Sequence, residues 1–265
     1  MRLYISRKTI HTAKNTDTMI LTIANKEFRH LFASPSTWII LGVLQFIFAW
    51  FFLARLDAFL QVQTQLAQLA NAPGATQSVA SPTLATVSLI LMMLVPIFTM
   101  RLVAEERRNQ TLVMLMAAPI SSWEIVLGKF VALNLFMSLI IASCFLMLLT
   151  LALGTELDYG LIIINALGLL LLTACYTSLG LYLSTLTAQP LVAATGTLAA
   201  LFGLWLVDVA SSSGSVALKA LSPTLHFQSF NAGLIQSKDL VYFLLFSSVC
   251  LLLAIRRLHN SRIYG

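Results

Sequence analysis

Six long apolar runs constrain this chain more than any other feature. They cover residues 37–54, 83–100, 130–153, 161–186, 190–207 and 240–255. A helix needs about 20 apolar residues to cross a hydrocarbon layer about 30 Å thick. The last run is the shortest, so Lys238 and Arg256 would have to extend outward from its ends. A transmembrane barrel would show alternating segments of about ten residues, and none occurs here. With 58% hydrophobic residues and a mean hydropathy of +0.88, a water-soluble fold would have no polar surface to spare. The expected fold class is therefore an all-α polytopic membrane protein with six transmembrane helices.

The basic residues set an orientation. All of them except Arg55, Lys219 and Lys238 lie before the first run, between the second and third, or after the sixth. The positive-inside rule then predicts cytoplasmic termini, and this asymmetry accounts for the net charge of +6 without a nucleic-acid partner. No cleavable signal peptide is expected in residues 1–36. The single cysteines Cys144, Cys175 and Cys250 form no CxxC pair and read as packing residues.

Residues 20–34 predict an amphipathic helix lying in the membrane interface ahead of the first span. Ile20, Ile23, Ala24, Phe28, Leu31 and Phe32 share one face, with Lys26, Arg29 and His30 opposite or flanking. Pro35 ends it. Glu27 falls inside the apolar stripe. It is expected either to pair with Arg101, Arg107 or Arg108 or to reach out to water.

The domain plan is a cytoplasmic segment at 1–36, a membrane domain at 37–255 and a tail at 256–265. A cytoplasmic unit occupies 101–129, and a partly apolar outer loop at 208–239 is expected to fold back on the bundle as short helices. The runs carry no Asp, Glu, Lys, Arg or His at membrane depth, which disfavours proton-coupled transport. Gly128-Lys129 is no phosphate loop, because Trp123 and Phe130 stand where glycine and Ser or Thr are required. The four histidines lack metal-ligand spacing, and His226 reads as structural. Asn134, Asn165, Thr150, Thr173 and Tyr176 could line a path or bond helix to helix. No catalytic, cofactor or metal site is expected on this chain.

The segment after the second run has a distinct shape. Glu105, Glu106, Arg107 and Arg108 precede a short apolar run, which starts with Thr111, includes Leu112, Met114, Leu115 and Met116, and stops at Pro119. Ser121 and Glu124 then have capping-box spacing, with Ile120 and Ile125 as a staple. The unit reads either as a docking element for a soluble motor or as a solvated linker.

Its residues resemble the signature of ABC-2-type transporter permeases, E-R-x-x-G-T-L-E followed by P-(I/V)-S and (I/V)-L-G-K. The chain supplies Glu106, Arg107, Thr111, Leu112, Pro119, Ile120, Ser121, Leu127, Gly128 and Lys129, and departs at Gln110 for Gly and at Val113 for Glu. Asn25–Pro35 and Leu221–Phe243 are similar to the gliding-motility-type branch of that family. The resemblance implies a type V exporter-like membrane domain that dimerises with a second copy or a paralogue. It implies a separate cytoplasmic ATP-binding subunit, holding ATP and Mg, that docks on the 105–120 unit through Glu105, Glu106, Arg107, Arg108, Thr111, Leu112, Leu115 and Pro119. Glu27, Phe28 and Arg29 of the interfacial helix would move with it. The location implied is a bacterial inner membrane. Some relatives act mechanically on accessory envelope proteins and move no solute.

Overall fold

The computed structural model describes residues 19–66, 74, 76–112, 120–155, 157–210 and 220–264. Among the described residues there is no strand. Residues 19–33 form helix α1, and Ser34 breaks it. Helix α2 (Pro35–Leu66) starts at once, because proline suits the first helical position. The break is tied by the Trp38 indole, whose Nε1 donates to the Phe32 carbonyl at 2.9 Å.

Next comes a π-helical turn at Thr76–Ala80, then α3 (Ser81–Met100), a second π-helical turn at Arg101–Glu105, and the short α4 (Glu106–Arg108). Helix α5 (Ser122–Leu148) ends in a 3-10 turn at Leu149–Leu153. Then follow α6 (Tyr159–Leu186), α7 (Pro190–Ala210), α8 (Pro223–Asn231) and α9 (Ser237–Tyr264). Six stretches are long and apolar enough to cross a membrane: Pro35–Gln63, Thr76–Arg108, Ser122–Leu153, Tyr159–Leu186, Pro190–Val209 and Ser237–Ser261. The first of these runs well past the apolar stretch that the sequence marks, through Arg55 and Asp57.

Helix α6 is the hub. It packs against α3, α5, α7, α8 and α9. Burial separates inner from outer spans, since 67% of the α3 span is buried against 17% for those of α2 and α7. Trp38, Phe46 and Trp50 on α2 therefore face outward, as side chains solvated by lipid would. All three cysteines are free and buried.

Small residues let α6 meet its neighbours closely. A Cβ on Gly180 would come within 2.5 Å of Thr99 on α3, and one on Gly168 within 2.5 Å of Phe230 on α8. One turn beyond Gly180 stands Ser184, completing a small-xxx-small pair. Its buried hydroxyl accepts from the backbone N–H groups of Val103 and Ala104 at 3.3 and 3.0 Å. Those donors belong to the π-helical turn, so a side chain on another helix satisfies part of the widened backbone.

The far connection does fold onto the bundle. Helix α8 buries Phe227 and Phe230 against α6, while Thr224 and Gln228 donate to Asp208 at 3.2 and 3.3 Å. His226 uses both ring nitrogens, Nδ1 on Asp239 at 2.6 Å and Nε2 on the Ala220 carbonyl at 3.0 Å. It also stacks on Tyr242 with centroids 4.0 Å apart. A histidine engaged on three sides is structural, as its surroundings in sequence suggest.

Replacing Gly180 by valine forces α6 away from Thr99. Overpacking of this kind costs about 1–3 kcal/mol. The thermal unfolding midpoint of the detergent-purified protein is expected to fall, whereas Gly196→Val, where nothing lies within 4 Å, leaves it unchanged.

Candidate functional site

The site grows from one buried cation. Lys129 lies on the first turns of α5 and its side chain has 0% exposure. An ammonium group in such a place requires anionic partners, because desolvation alone would cost several kcal/mol. Two carboxylates supply them. Glu106 Oε1 on α4 accepts from Nζ at 2.7 Å, and Glu27 Oε1 on α1 accepts at 3.2 Å. Lys26 adds a looser contact to Glu27 at 3.6 Å from the surface. The partner of Glu27 is thus Lys129, which corrects the expected pairing with Arg101, Arg107 or Arg108. Among the described residues those arginines form no ion pair.

The backbone explains why Lys129 can reach both acids. Ser121 caps α5 as a capping box, its backbone N–H donating to Glu124 Oε2 at 2.8 Å and its hydroxyl accepting from Trp123 at 3.3 Å. That fixes the helix start and the phase of every residue after it. Gly128 then allows α1 to lie across α5. A Cβ there would stand 2.7 Å from Ile23 Cγ2 and 3.3 Å from the Ile20 carbonyl. With α1 so close, Glu27 is carried to Lys129.

An aromatic chain runs beside the ionic one. Phe28 and Phe32 on α1 lie 4.9 Å apart, Phe32 meets Phe136 of α5 edge-on at 5.4 Å, and Phe136 meets Phe98 of α3 at 5.0 Å. Helix α1, the third span and the end of the second are therefore joined twice, by charge and by ring contacts. Arg29 is exposed and takes no part.

The expected docking residues separate into two groups. Glu105 and Arg107 are half-buried, while Arg108 and Thr111 are exposed, the Thr111 hydroxyl donating to the Glu106 carbonyl at 3.3 Å. Glu106 points inward to Lys129. Leu112 does too, being 4% exposed within the core, so it is not the outward-facing apolar contact that the sequence suggested. Leu115 and Pro119 lie outside the described residues, as do Val113, Met114 and Met116. After α4 the chain turns back through Gln110, which has φ +61°. That left-handed conformation favours glycine, the residue the resemblance places at this position. The departure from the signature is thus one of backbone strain.

Lys129 is the functional residue that sequence reasoning passed over. Its signal was present in two acids, Glu27 and Glu106, that adjoin apolar surface without a local cation of the right phase.

The sequence matches the family described as ABC-2 family transporter protein over residues 21–258. The chain belongs to that family. Its members are membrane subunits that normally work with a separate ATP-binding subunit and are generally not catalytic themselves. No match is found among curated proteins.

Two outcomes follow for this ABC-2 family protein. Lys129→Met leaves two buried carboxylates unpaired and destabilises it by about 3–5 kcal/mol. The triple variant with Glu27→Gln and Glu106→Gln recovers most of that loss in thermal unfolding. Gln110→Gly relieves the left-handed turn and slows proteolysis between α4 and α5, an effect of about 1 kcal/mol at most.

Proposed function

We propose that this chain is the permease subunit of an ATP-driven exporter in a bacterial inner membrane, with both termini cytoplasmic. It works as a dimer with a second copy or a related subunit. A separate ATP-binding subunit, holding ATP and Mg, docks on the 105–120 unit. The chain itself supplies no chemistry. It converts a push on that unit into a movement of the bundle.

The observation that carries this reading is the joint at Lys129. A force applied near Arg107 and Arg108 meets Glu106 next door in sequence, and Glu106 is held 2.7 Å from Lys129. Through Lys129 the same force reaches the third span and, by Glu27, helix α1. A solvated linker would have no need of a fully buried cation bridging three segments. Packed elements joined this way move as units, because close-packed interiors deform little.

The test is co-expression with the ATP-binding subunit encoded beside this chain, followed by co-purification and assay in liposomes. Arg108→Glu, on the exposed side of α4, is expected to lower recovery of that subunit about tenfold without changing the unfolding midpoint. Wild-type recovery with Arg108→Glu, or uphill transport by this chain alone, would sink the reading. ATP hydrolysis stimulated only by an envelope protein would instead assign the complex mechanical work on that partner.

A further inference from the structure

Helix α2 is longer than a membrane crossing requires. From Pro35 to its first charged residue, Arg55, it has already risen about 30 Å, which matches the hydrocarbon thickness. Eight more residues carry it about 12 Å further to Gln63. Yet one face stays apolar over this stretch. Phe52, Leu56, Phe59, Leu60 and Gln63 follow helical spacing and line one wall of a half-open cleft of about 280 Å³. The other wall is the end of the third span, with Thr150, Leu151, Gly154 and Thr155.

The position matters more than the size. Apolar side chains at membrane depth are covered by lipid, but these continue past Arg55 and Asp57, both exposed, into the headgroup layer. There Leu60 is 55% exposed and Leu153, beside the cleft, 91%. Apolar surface held above the hydrocarbon boundary marks a binding site. The cleft is polar at one end only. Both threonine hydroxyls on the second wall donate within their own chain, to Met147 and Leu151 carbonyls, leaving the wall itself effectively apolar. Gln63, at the outward tip, makes no side-chain hydrogen bond among the described residues. At the low end of small-molecule pockets in volume, the cleft is too narrow for a helix and suited to a single chain.

We propose that this cleft receives one acyl chain of an amphiphile lifted from the leaflet opposite the basic face, its headgroup outward at Gln63. As an identification of the exported cargo, this rests on the exporter reading above. The binding itself requires neither nucleotide nor partner subunit, so the two can fail separately.

The experiment uses the full-length protein in phosphatidylglycerol vesicles with a phosphatidylglycerol probe bearing a diazirine midway along one acyl chain. After illumination, mass spectrometry is expected to find label on Leu56, Phe59 or Leu60, above the depth an undisturbed chain reaches, as well as on lipid-facing Leu146. Gly154 has nothing within 4 Å of an added Cβ, so Gly154→Leu fills the cleft without a clash. It should cut the cleft label at least tenfold and leave Leu146 labelling unchanged. Leu60→Gln, at the open rim, should lower the same label if Gly154→Leu does not fold. Label confined to the depth of Leu146, or cleft label unchanged in both variants, overturns the proposal. So does a photo-crosslinking residue at position 59 that captures this same chain or an envelope protein in place of lipid.

Discussion

A lysine sealed from water between two carboxylates is the constraint around which this molecule is arranged. Desolvating Lys129 is unfavourable on its own, and Glu27 with Glu106 offsets the cost only if three segments far apart in sequence meet at one point. Meeting there fixes how α1 crosses α5, which in turn demands a glycine at position 128. It also fixes where the second span ends. The ring contacts from Phe32 through Phe136 to Phe98 then fill the same junction with apolar surface.

Some of this was legible in the sequence and some was not. The start of α5 could be read because capping is local, with Ser121 and Glu124 three residues apart and bonded as their spacing implies. The misplaced charge of Glu27 was equally visible against the helical period of α1. Its partner was not, since Lys129 lies 102 residues away and nothing local separates it from the nearer-seeming arginines. Leu112 looked like an exposed contact because the run around it is short and flanked by charge. Only the packing of the bundle shows that it turns inward. Ser184 gave no warning either, because a serine near the end of an apolar helix ordinarily satisfies itself on the preceding turn.

The two ends of the bundle are built on different principles. At the basic face, charge and aromatic contact join elements that the exporter reading requires to move together. At the opposite face, hydrogen bonds pin the short α8, with Asp208, His226, Asp239 and Tyr242 each holding backbone or side chain across a connection. Phe227 and Phe230 anchor that helix over Gly168, so the far end of α6 is capped by protein and shut off from solvent.

The widened turn at Arg101–Glu105 has a geometric corollary. A π-helical turn holds one residue more than an α-helical one. Tightening it would swing all that follows by about 100° and shift it about 1.5 Å along the axis. Glu106 would rotate out of reach of its ammonium partner, and Ser184 would lose the amides it holds. The molecule therefore contains a ratchet with two teeth, in which the serine and the lysine are seated together or released together.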